Sequence, residues 1–535
     1  MAPLPEKLRL TLARGSTGDG APDWVVLDLH GSYPTYRRSA PVQELLQRTE
    51  SFEALTARLD RLAKADWVRG VLVRVGDLKV GLATAHAIGL ALGRLARKKR
   101  VVGYVPQVSM RSLLATAPLT EVVAPESAEV SLPGFAAEQV FYGAFLGRHG
   151  ISFENLRIRE YKSALTRFSQ DRMDEYDREQ LTAYVTSAER SWQADVPRAR
   201  GADPDALFDT PLTNAQQLLD LGLITRIAYD DEIVAPVDQH WGRTVELMMP
   251  DLAARKMGRK ADGVAVVPVI GPIVTGHSRR TPPLPFLPGP MSGSESVVAA
   301  LRKAERDEHT KAVVLYVDSP GGSALASDVV CRAVARCAKP VVAVMGEVAG
   351  SGGYYVLAQA DHVVADPYTL TGSIGVVVGK PVLTQFDDRH GLNPETVGRD
   401  RALFASPHRP FSDDERAWAE QMMDEVYERF VGRVSAGRRL SRERVDEIGR
   451  GRIWSGQDAQ EIGLVDELGD LDAGLAAARR LAGLPDDAPA RTVSAGPTLP
   501  GVPTFGKEAA GALAGLWPFG SEKVLTWFDR TVTIR

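Results

Sequence analysis

The fold is decided by two stretches of sequence, AVVLYVDSPGGS (residues 312–323) and VVAVMGEVAGSGGYYVLAQADHVVADP (residues 341–367). In each stretch an apolar run rich in β-branched residues ends at a glycine-rich turn, and a helical pattern follows. The run VAVVPVI (residues 264–270) has the same character. Continuous apolar runs of this kind are typical of strands that are buried on both faces of a parallel sheet. Their alternation with helices predicts an α/β fold with a mostly parallel sheet.

A longer helix is predicted over residues 413–439, with Ser412 or Asp413 as its N-cap. Its apolar residues recur at every fourth position, which predicts that they line one buried face. These residues are Trp418, Met422, Val426, Phe430 and Val434.

The chain repeats itself. Four segments of the first half match four segments of the second half, and the offsets between them are 240 to 242 residues. For example, EVVAPESAEVSLPG (residues 121–134) matches HVVADPYTLTGSIG (residues 362–375). Because several matches at one offset indicate a tandem duplication, we predict a first repeat over 22–240 and a second over 262–485. The other segments are an N-terminal extension (1–21), a connector (241–261) and a Pro/Gly-rich, then apolar C-terminal tail (486–535).

The composition excludes several classes of protein. The chain has 535 residues and a formal net charge of −4, which gives no basic footprint for nucleic acid. Its two cysteines cannot form a disulfide framework, and they fit no zinc-site spacing. We therefore expect no cofactor, no metal and no nucleic-acid partner. The nine histidines leave few candidates for a histidine-based mechanism.

No segment of the sequence predicts a membrane anchor. The N-terminus lacks the apolar region of a signal peptide. The longest charge-free stretch, residues 263–278, is shorter than the roughly 20 apolar residues of a membrane-spanning helix. We therefore expect a cytoplasmic protein without a transmembrane segment. The tail carries four aromatic residues that need burial, either by docking on the body or a neighbouring subunit or by peripheral contact with the inner membrane: Trp517, Phe519, Trp527 and Phe528.

Ser351 is the candidate nucleophile. It lies in Gly-Ser-Gly-Gly between an apolar strand and a helix, as in a nucleophile elbow, although Ala349 departs from the G-x-S-x-G pattern. A serine in this place is also a common helix N-cap. In the turn DSPGGS, Gly321 and Gly322 could expose backbone N–H groups to an oxyanion. A plain strand-to-helix turn is the alternative there.

A nucleophilic serine needs a base. His362 follows the helix after Ser351 but precedes a buried strand, and His30 ends the first strand, so both are weak candidates. A buried lysine is the alternative, because desolvation lowers its pKa and Ser–Lys pairs are a known variant of the catalytic triad.

These motifs resemble the signal peptide peptidase A family of serine peptidases, in its long, duplicated form. The resemblance is carried by DSPGGS, by residues 347–376 (EVAGSGGYYVLAQADHVVADPYTLTGSIGV) and by residues 454–470 (WSGQDAQEIGLVDELGD). It implies a tandem duplication of a Clp-protease/crotonase-like fold built from repeated ββα units. It also implies that the first repeat supplies a lysine in a Tyr-Lys-Ser-Ala segment. That segment is REYKSALTRF (residues 159–168), with Lys162 as the base.

The two repeats differ at these positions in a complementary way. At an offset of 241 residues, Ser351 faces Met110 and Lys162 faces Leu403. The alignment slips by one nearby, where Ser109 precedes Met110, but no Gly-Gly follows. The pattern predicts one composite active site rather than two.

The resemblance implies a serine endopeptidase that hydrolyses short apolar or unfolded peptides, such as cleaved signal peptides. Ser351 would attack the peptide carbonyl, Lys162 would take the proton, and Ser373 would hydrogen-bond Lys162. The oxyanion would be held by the backbone N–H groups of Gly352 and of Gly322 or Gly321. The partners would be peptide substrates and further copies of the chain, because members of the family form oligomers, and we expect a homotetramer.

Two alternatives stay open at the level of sequence. A crotonase-like acyl-CoA enzyme would use the same fold and a backbone oxyanion hole, with Glu347 as its best candidate acid or base. An inactive scaffold that acts through its oligomer would use neither Ser351 nor Lys162.

Overall fold

The computed structural model describes residues 24–35, 50–66, 68–204, 207–208, 211–233, 261–279, 290–494, 524–527 and 533–534. The predicted N-terminal extension, nearly all of the connector and most of the tail lie outside these ranges. The chain forms two compact units, one from Met1–Gly134 and Glu189–Ala261 and the other from Phe135–Ala188 and Asp262–Arg535.

The strands follow one another in chain order. They are β1 (Trp24–Gly31), β2 (Gly70–Leu78), β3 (Arg100–Tyr104), β4 (Gln107–Ser109), β5 (Glu121–Ala124), β6 (Glu129–Ser131), β7 (Ala137–Glu138), β8 (Ser152–Arg157), β9 (Arg226–Ile227), β10 (Gly263–Ile270), β11 (Ile273–Val274), β12 (Ser292–Gly293), β13 (Thr310–Ser319), β14 (Gly321–Ser323), β15 (Val341–Gly350), β16 (His362–Ala365), β17 (Leu370–Gly372), β18 (Val377–Val382), β19 (Ile453–Ser455), β20 (Glu467–Leu468), β21 (Ala490–Thr492), β22 (Leu525–Trp527) and β23 (Thr533–Ile534).

The helices lie between the strands, together with two 3-10 turns at Arg198–Arg200 and Asp400–Leu403. They are α1 (Phe52–Lys64), α2 (Leu82–Ala96), α3 (Met110–Thr116), α4 (Gly143–Arg148), α5 (Thr166–Ser169), α6 (Glu175–Asp195), α7 (Ala215–Asp220), α8 (Asp230–Ile233), α9 (Ser294–Arg306), α10 (Ala324–Ala335), α11 (Gly352–Leu357), α12 (Thr384–His390), α13 (Asp413–Arg438), α14 (Arg442–Ile448), α15 (Gly456–Glu461) and α16 (Leu471–Leu481).

The first unit is built on a parallel five-stranded sheet in the order β1-β2-β3-β5-β9. Its strands are apolar and β-branched, so they are buried between layers, as Val73 and Val102 are. Helix α1 shows how the helices form: Ser51 caps its N-terminus, and its buried residues recur with helical spacing. The predicted α/β fold with a mostly parallel sheet is therefore present in this unit.

The second unit contains two sheets. The larger has the strand order β19-β17-β15-β13-β10-β21, with β16 beside β15 and β20 beside β16, and all its pairs are parallel except β17 with β19. The second sheet has the order β12-β11-β14-β22-β18-β8. The core lies between the larger sheet and its helices, where the rings of Tyr355 and Phe430 stack at 4.2 Å.

The order of elements supports the duplication. Strands β1, β2, β3, β5 and β9 and strands β10, β13, β15, β16 and β20 run in the same order in their sheets, and their first residues are 239 to 241 positions apart. The compact units nevertheless differ from the predicted repeats, since Phe135–Ala188 packs with the second half of the chain. The repeat boundaries at 22–240 and 262–485 stay a prediction.

Helix α13 confirms one prediction and corrects another. The helix begins and ends within one residue of its predicted bounds, and Ser412 forms a capping box with Glu415. The predicted buried face is right only in part: Phe430 and Val434 are fully buried, whereas Trp418, Met422 and Val426 are partly buried against the same core. A row of residues four apart turns by about 40° around the helix at each step. The row therefore leaves the core-facing side, and the buried positions follow a mixed spacing of three and four.

The described residues contain neither a membrane-spanning helix nor a metal-binding cluster. Among them, no helix combines the length and the apolar character that a membrane span requires. In the same part of the chain, no cluster of three or more His, Cys, Asp or Glu side chains could hold a metal ion.

Candidate active site

Ser351 occupies a sharp turn between β15 and α11. Its backbone has φ 54° and ψ −115°, a conformation that residues other than glycine rarely adopt. The turn is held by the hydrogen bond from Ser351 N to the carbonyl of Gly372, at 2.8 Å. Gly353 has to be small, since a Cβ there would lie 2.4 Å from the carbonyl oxygen of Ser319. Such strained turns occur at functional sites, where the surrounding structure stabilises them.

The side chain of Ser351 does not cap the helix. Its hydroxyl makes no capping hydrogen bond to α11. Instead, Oγ lies 2.7 Å from Nζ of Lys162 and donates a long hydrogen bond of 3.4 Å to the carbonyl of Gly375. The N-cap interpretation of this serine is therefore wrong.

Lys162 follows β8 and is fully buried, with no exposed side-chain surface. Its Nζ contacts three oxygens: Ser351 Oγ at 2.7 Å, Ser373 Oγ at 2.9 Å and the carbonyl of Ser373 at 3.2 Å. Burial alone lowers the pKa of Lys162 well below its usual value of 10.5. Since desolvation penalises the charged form, the structure favours a neutral amine beside the serine hydroxyl.

Ser373 holds the far side of the lysine amine. It lies directly after β17, with φ 50°, and it is 1% exposed. Its backbone N–H donates to the carbonyl of Arg452 at 2.7 Å, which ties it to the chain that leads into β19. The contact between Ser373 and Lys162 is present as the sequence predicts, and its role in catalysis stays a prediction.

The glycine turn after β13 lies against the serine turn. Gly321 and Gly322 have φ 95° and 155°, and a Cβ on Gly321 would lie 2.6 Å from the backbone nitrogen of Gly352. The N–H of Gly321 donates to Ser319 Oγ at 3.1 Å. Gly352 begins a helix, and the first N–H groups of a helix have no acceptor within it. The structure thus brings all the predicted site residues together.

A strand of the tail, which the sequence did not predict, lies in this site. Strand β22 lies between β14 and β18 and is antiparallel to both. A Cβ on Gly321 would lie 2.1 Å from the carbonyl oxygen of Thr526, and a Cβ on Gly352 would lie 2.8 Å from the same oxygen. The signal in the sequence was the apolar segment VLTWF. It predicted that the tail docks on a surface, but it did not indicate which surface. Trp517, Phe519, Phe528 and the side chain of Trp527 lie outside the described residues.

The weaker candidates lie in other surroundings. The Nε2 of His362 is 2.9 Å from a carboxylate oxygen of Glu467, a contact that gives this histidine a structural role. His30 is exposed on β1. The charge of Glu347 helps to raise the pKa of Tyr184. It has no such effect on Lys162, whose pKa is lowered by burial.

The structure corrects the alignment of the repeats at the serine. Ser351 immediately precedes α11, and in the first unit Ser109 immediately precedes α3. Ser109, not Met110, is therefore the counterpart of Ser351. Its φ of −134° is relaxed, and its hydroxyl accepts a hydrogen bond from Ser112 N as an ordinary N-cap.

Comparison with known proteins now places the chain in a family. The model of peptidase family S49 matches residues 94–242 and 334–485. This chain belongs to peptidase family S49. The two matches support the predicted tandem duplication. The Clp protease model matches residues 290–367 of this S49 chain, a range that includes both glycine-rich turns. The predicted Clp-type fold is confirmed.

Several relatives are similar to this S49 chain over most of its length. The chloroplastic serine protease SPPA of Arabidopsis thaliana is 29% identical over 465 residues, which are 83% of this chain and 68% of that protein. Protease 4 of Salmonella typhi is 30% identical over 66% of this chain and 59% of that protein. Protease 4 of Haemophilus influenzae is 28% identical over 72% and 65%. The matches thus span about two thirds of the length of these relatives. The resemblance to the signal peptide peptidase A family is confirmed.

Proposed function

We propose that the protein is a serine endopeptidase in which Ser351 is the nucleophile and Lys162 the general base. The observation that carries the proposal is the 2.7 Å contact between Ser351 Oγ and Lys162 Nζ at a site where both side chains are fully buried. The names of the relatives, which are serine protease and protease, agree with it.

The reaction follows from the geometry. The proton of the Ser351 hydroxyl passes to the neutral amine of Lys162 while Oγ bonds to the peptide carbonyl carbon. The ammonium then passes this proton to the leaving nitrogen as the C–N bond breaks, which leaves an acyl-serine. A water molecule gives one proton to Lys162 and attacks the ester, and the serine regains its hydrogen as the carboxylic acid departs.

The oxyanion that forms in each step needs donors next to Ser351. We propose the N–H groups of Gly352 and Gly322, because the N–H of Gly321 already donates to Ser319. Loss of one such donor typically costs about 2.7–4 kcal/mol in the transition state. Lys162 also contacts Ser373, which would hold the amine in line with the Ser351 hydroxyl.

The substrate class is short apolar or unfolded peptides, such as cleaved signal peptides. The support is the small apolar cluster into which the tail strand places Leu525, one residue from Thr526 and its contacts with the glycines. The residues packed around Leu525 are Ala164, Leu165, Val274, Met291 and Val377. An apolar side chain of a bound peptide would find the same surroundings.

The test is to profile a library of peptides with the wild type and with two variants, Ser351→Ala and Lys162→Met. We expect cleavage at apolar sites by the wild type alone, and labelling of Ser351 by a fluorophosphonate in the wild type alone. Cleavage that persists in both variants would exclude the Ser–Lys mechanism. Turnover of acyl-CoA thioesters without peptide cleavage would favour the crotonase-like alternative, and no turnover of either would favour a scaffold.

We further propose a homotetramer, as the family resemblance implies. Light scattering at micromolar protein concentration checks it, and a monomer there would contradict it. The cytoplasmic location, with peripheral contact at the inner membrane as its alternative, also stays a prediction, and fractionation of cells checks it.

A further inference from the structure

Gln180 is a buried amide that contacts both neighbours of Lys162. It lies on α6 and is 1% exposed. Its Nε2 donates to the carbonyl of Tyr161 at 3.1 Å and to the hydroxyl of Ser163 at 3.2 Å. One side chain thus holds the residue before the lysine and the residue after it.

The oxygen of the same amide contacts the strand on the other side of Lys162. The Oε1 of Gln180 accepts from the backbone N–H of Ile453 at 3.1 Å. Ile453 is paired with Gly372 in the sheet, and the preceding residue, Arg452, accepts the N–H of Ser373. Gln180 therefore joins the segment that carries the lysine to the strand that holds Ser373.

The backbone of Gly451 closes the remaining side. A Cβ on Gly451 would lie 2.5 Å from the backbone nitrogen of Lys162 and 2.6 Å from its Cα. The carbonyl of Arg450 accepts the N–H of Tyr161 at 3.2 Å. The main chain of Lys162 thus lies directly on residues 450–453, and it has no room to shift toward them.

We infer that Gln180 is a positioning residue, which holds Lys162 against residues 450–453 and thereby sets the distance between its amine and Ser351. A lysine side chain is long and has several rotatable bonds, so the place of Nζ depends on how firmly its backbone is anchored. A displacement of about 1 Å in an active site can lower the rate roughly 100-fold. The inference rests on the proposed Ser–Lys mechanism.

The test is Gln180→Met, which keeps the length of the side chain and removes its donors and acceptor. We expect kcat to fall about 10- to 100-fold with KM nearly unchanged, and fluorophosphonate labelling of Ser351 to slow in proportion. The apparent pKa in the profile of kcat/KM against pH should rise, because water that enters at the unpaired groups stabilises the lysine ammonium.

Two control variants isolate the effect. Ser187→Ala removes a buried hydroxyl of the same helix whose oxygen lies 2.7 Å from that of Ser455. We expect it to leave the pH profile in place. Asp177 is the ionisable group that Gln180 contacts, at 3.1 Å, and burial raises its pKa. Asp177→Asn therefore reports any part of the shift that comes from this carboxyl.

The outcomes separate this inference from the proposed function. If Ser351→Ala is inactive while Gln180→Met keeps the rate and pH profile of Ser187→Ala, Gln180 has no positioning role. If Ser351→Ala is active, the proposed function itself fails. If Gln180→Met does not fold, Gln180→Asn decides, since it adds no charge and keeps an amide that is one methylene shorter. A wild-type rate and profile in the folded asparagine variant would overturn the inference, and a slower rate with a raised apparent pKa would support it.

Discussion

The backbone of Ser351 is strained, and the same conformation directs its hydroxyl toward Lys162. At φ 54° and ψ −115°, any residue with a Cβ is disfavoured and glycine is not. The serine is kept there although the fold would be more stable without its Cβ. The turn aims Oγ at Lys162, and a relaxed N-cap such as Ser109 aims its hydroxyl at its own helix.

Two variants at this position separate the effect of the hydroxyl on activity from the effect of the backbone strain on stability. Ser351→Ala and Ser351→Gly should both lose peptidase activity by at least about 10⁴-fold, since both lack Oγ. Ser351→Gly should be more stable than Ser351→Ala by about 1–2 kcal/mol, because glycine alone adopts this φ without strain. Urea denaturation of the two proteins measures the difference. Since glycine loses about 0.5–1 kcal/mol more than alanine in backbone entropy on folding, equal midpoints would limit the strain of the turn to that amount.

The buried amine of Lys162 makes activity and stability depend on pH in a defined direction. Its pKa in the folded protein is well below 10.5, so over that interval the unfolded chain binds more protons than the folded protein. The stability of the wild type should therefore rise with pH from the lowered pKa up to about 10.5. The value of kcat/KM should rise with pH through the same lowered pKa, because the neutral amine is the proposed base.

The matched variant for this prediction is Lys162→Met, which has no titrating group and cannot catalyse the reaction. It should be more stable than the wild type at neutral pH, and its advantage should shrink as the pH approaches 10.5. Melting temperatures of the two proteins at several pH values check this. A difference in melting temperature that does not change with pH would mean that Lys162 stays charged in the folded protein.

At the scale of elements, the sequence predicted the strands and turns well and the tail poorly. The motifs around Ser351 and Gly321 are local, since a strand, a glycine turn and a helix follow each other directly in the chain. The position of β22 depends instead on pairing across about 200 residues, with Thr526 opposite Gly322. No local pattern specifies such a partner, and an apolar tail could bury its side chains against many surfaces.

We predict that the tail strand occupies space that a peptide substrate needs. A substrate strand would pair with Gly321–Ser323 and place its carbonyl near Gly352, and Thr526 already does both. A chain that ends at Ser494 should therefore bind short apolar peptides more tightly, with KM lower by roughly tenfold or more, because an attached competitor acts at an effective millimolar concentration. Steady-state kinetics of the two chains tests this. A synthetic peptide with the sequence of residues 521–530 should inhibit the shortened chain, and an unchanged KM would contradict the prediction.

At the scale of the whole molecule, the duplication explains why one half alone could not have revealed the site. The serine turn and the glycine turn belong to the predicted second repeat, and Lys162 comes from the first. The lysine segment, Phe135–Ala188, leaves the compact unit that contains most of its own repeat and packs in the other unit. Spacing within one repeat could not predict this exchange, and the resemblance to the family implied only that the lysine comes from the first repeat and the serine from the second.

If Lys162 is the base, the peptidase depends on both halves of the chain. The fragment 251–535 keeps Ser351 and its glycines but lacks Lys162 and Gln180, so the serine would have no base. We expect this fragment to hydrolyse no peptide and to resist fluorophosphonate labelling, and we expect activity to return when it is co-expressed with residues 1–250. The same pair with Lys162→Met in the first fragment is the matched control, because it restores the packing without the amine. If fragment 251–535 alone cleaved peptides at the wild-type rate, the base would have to lie in the second half.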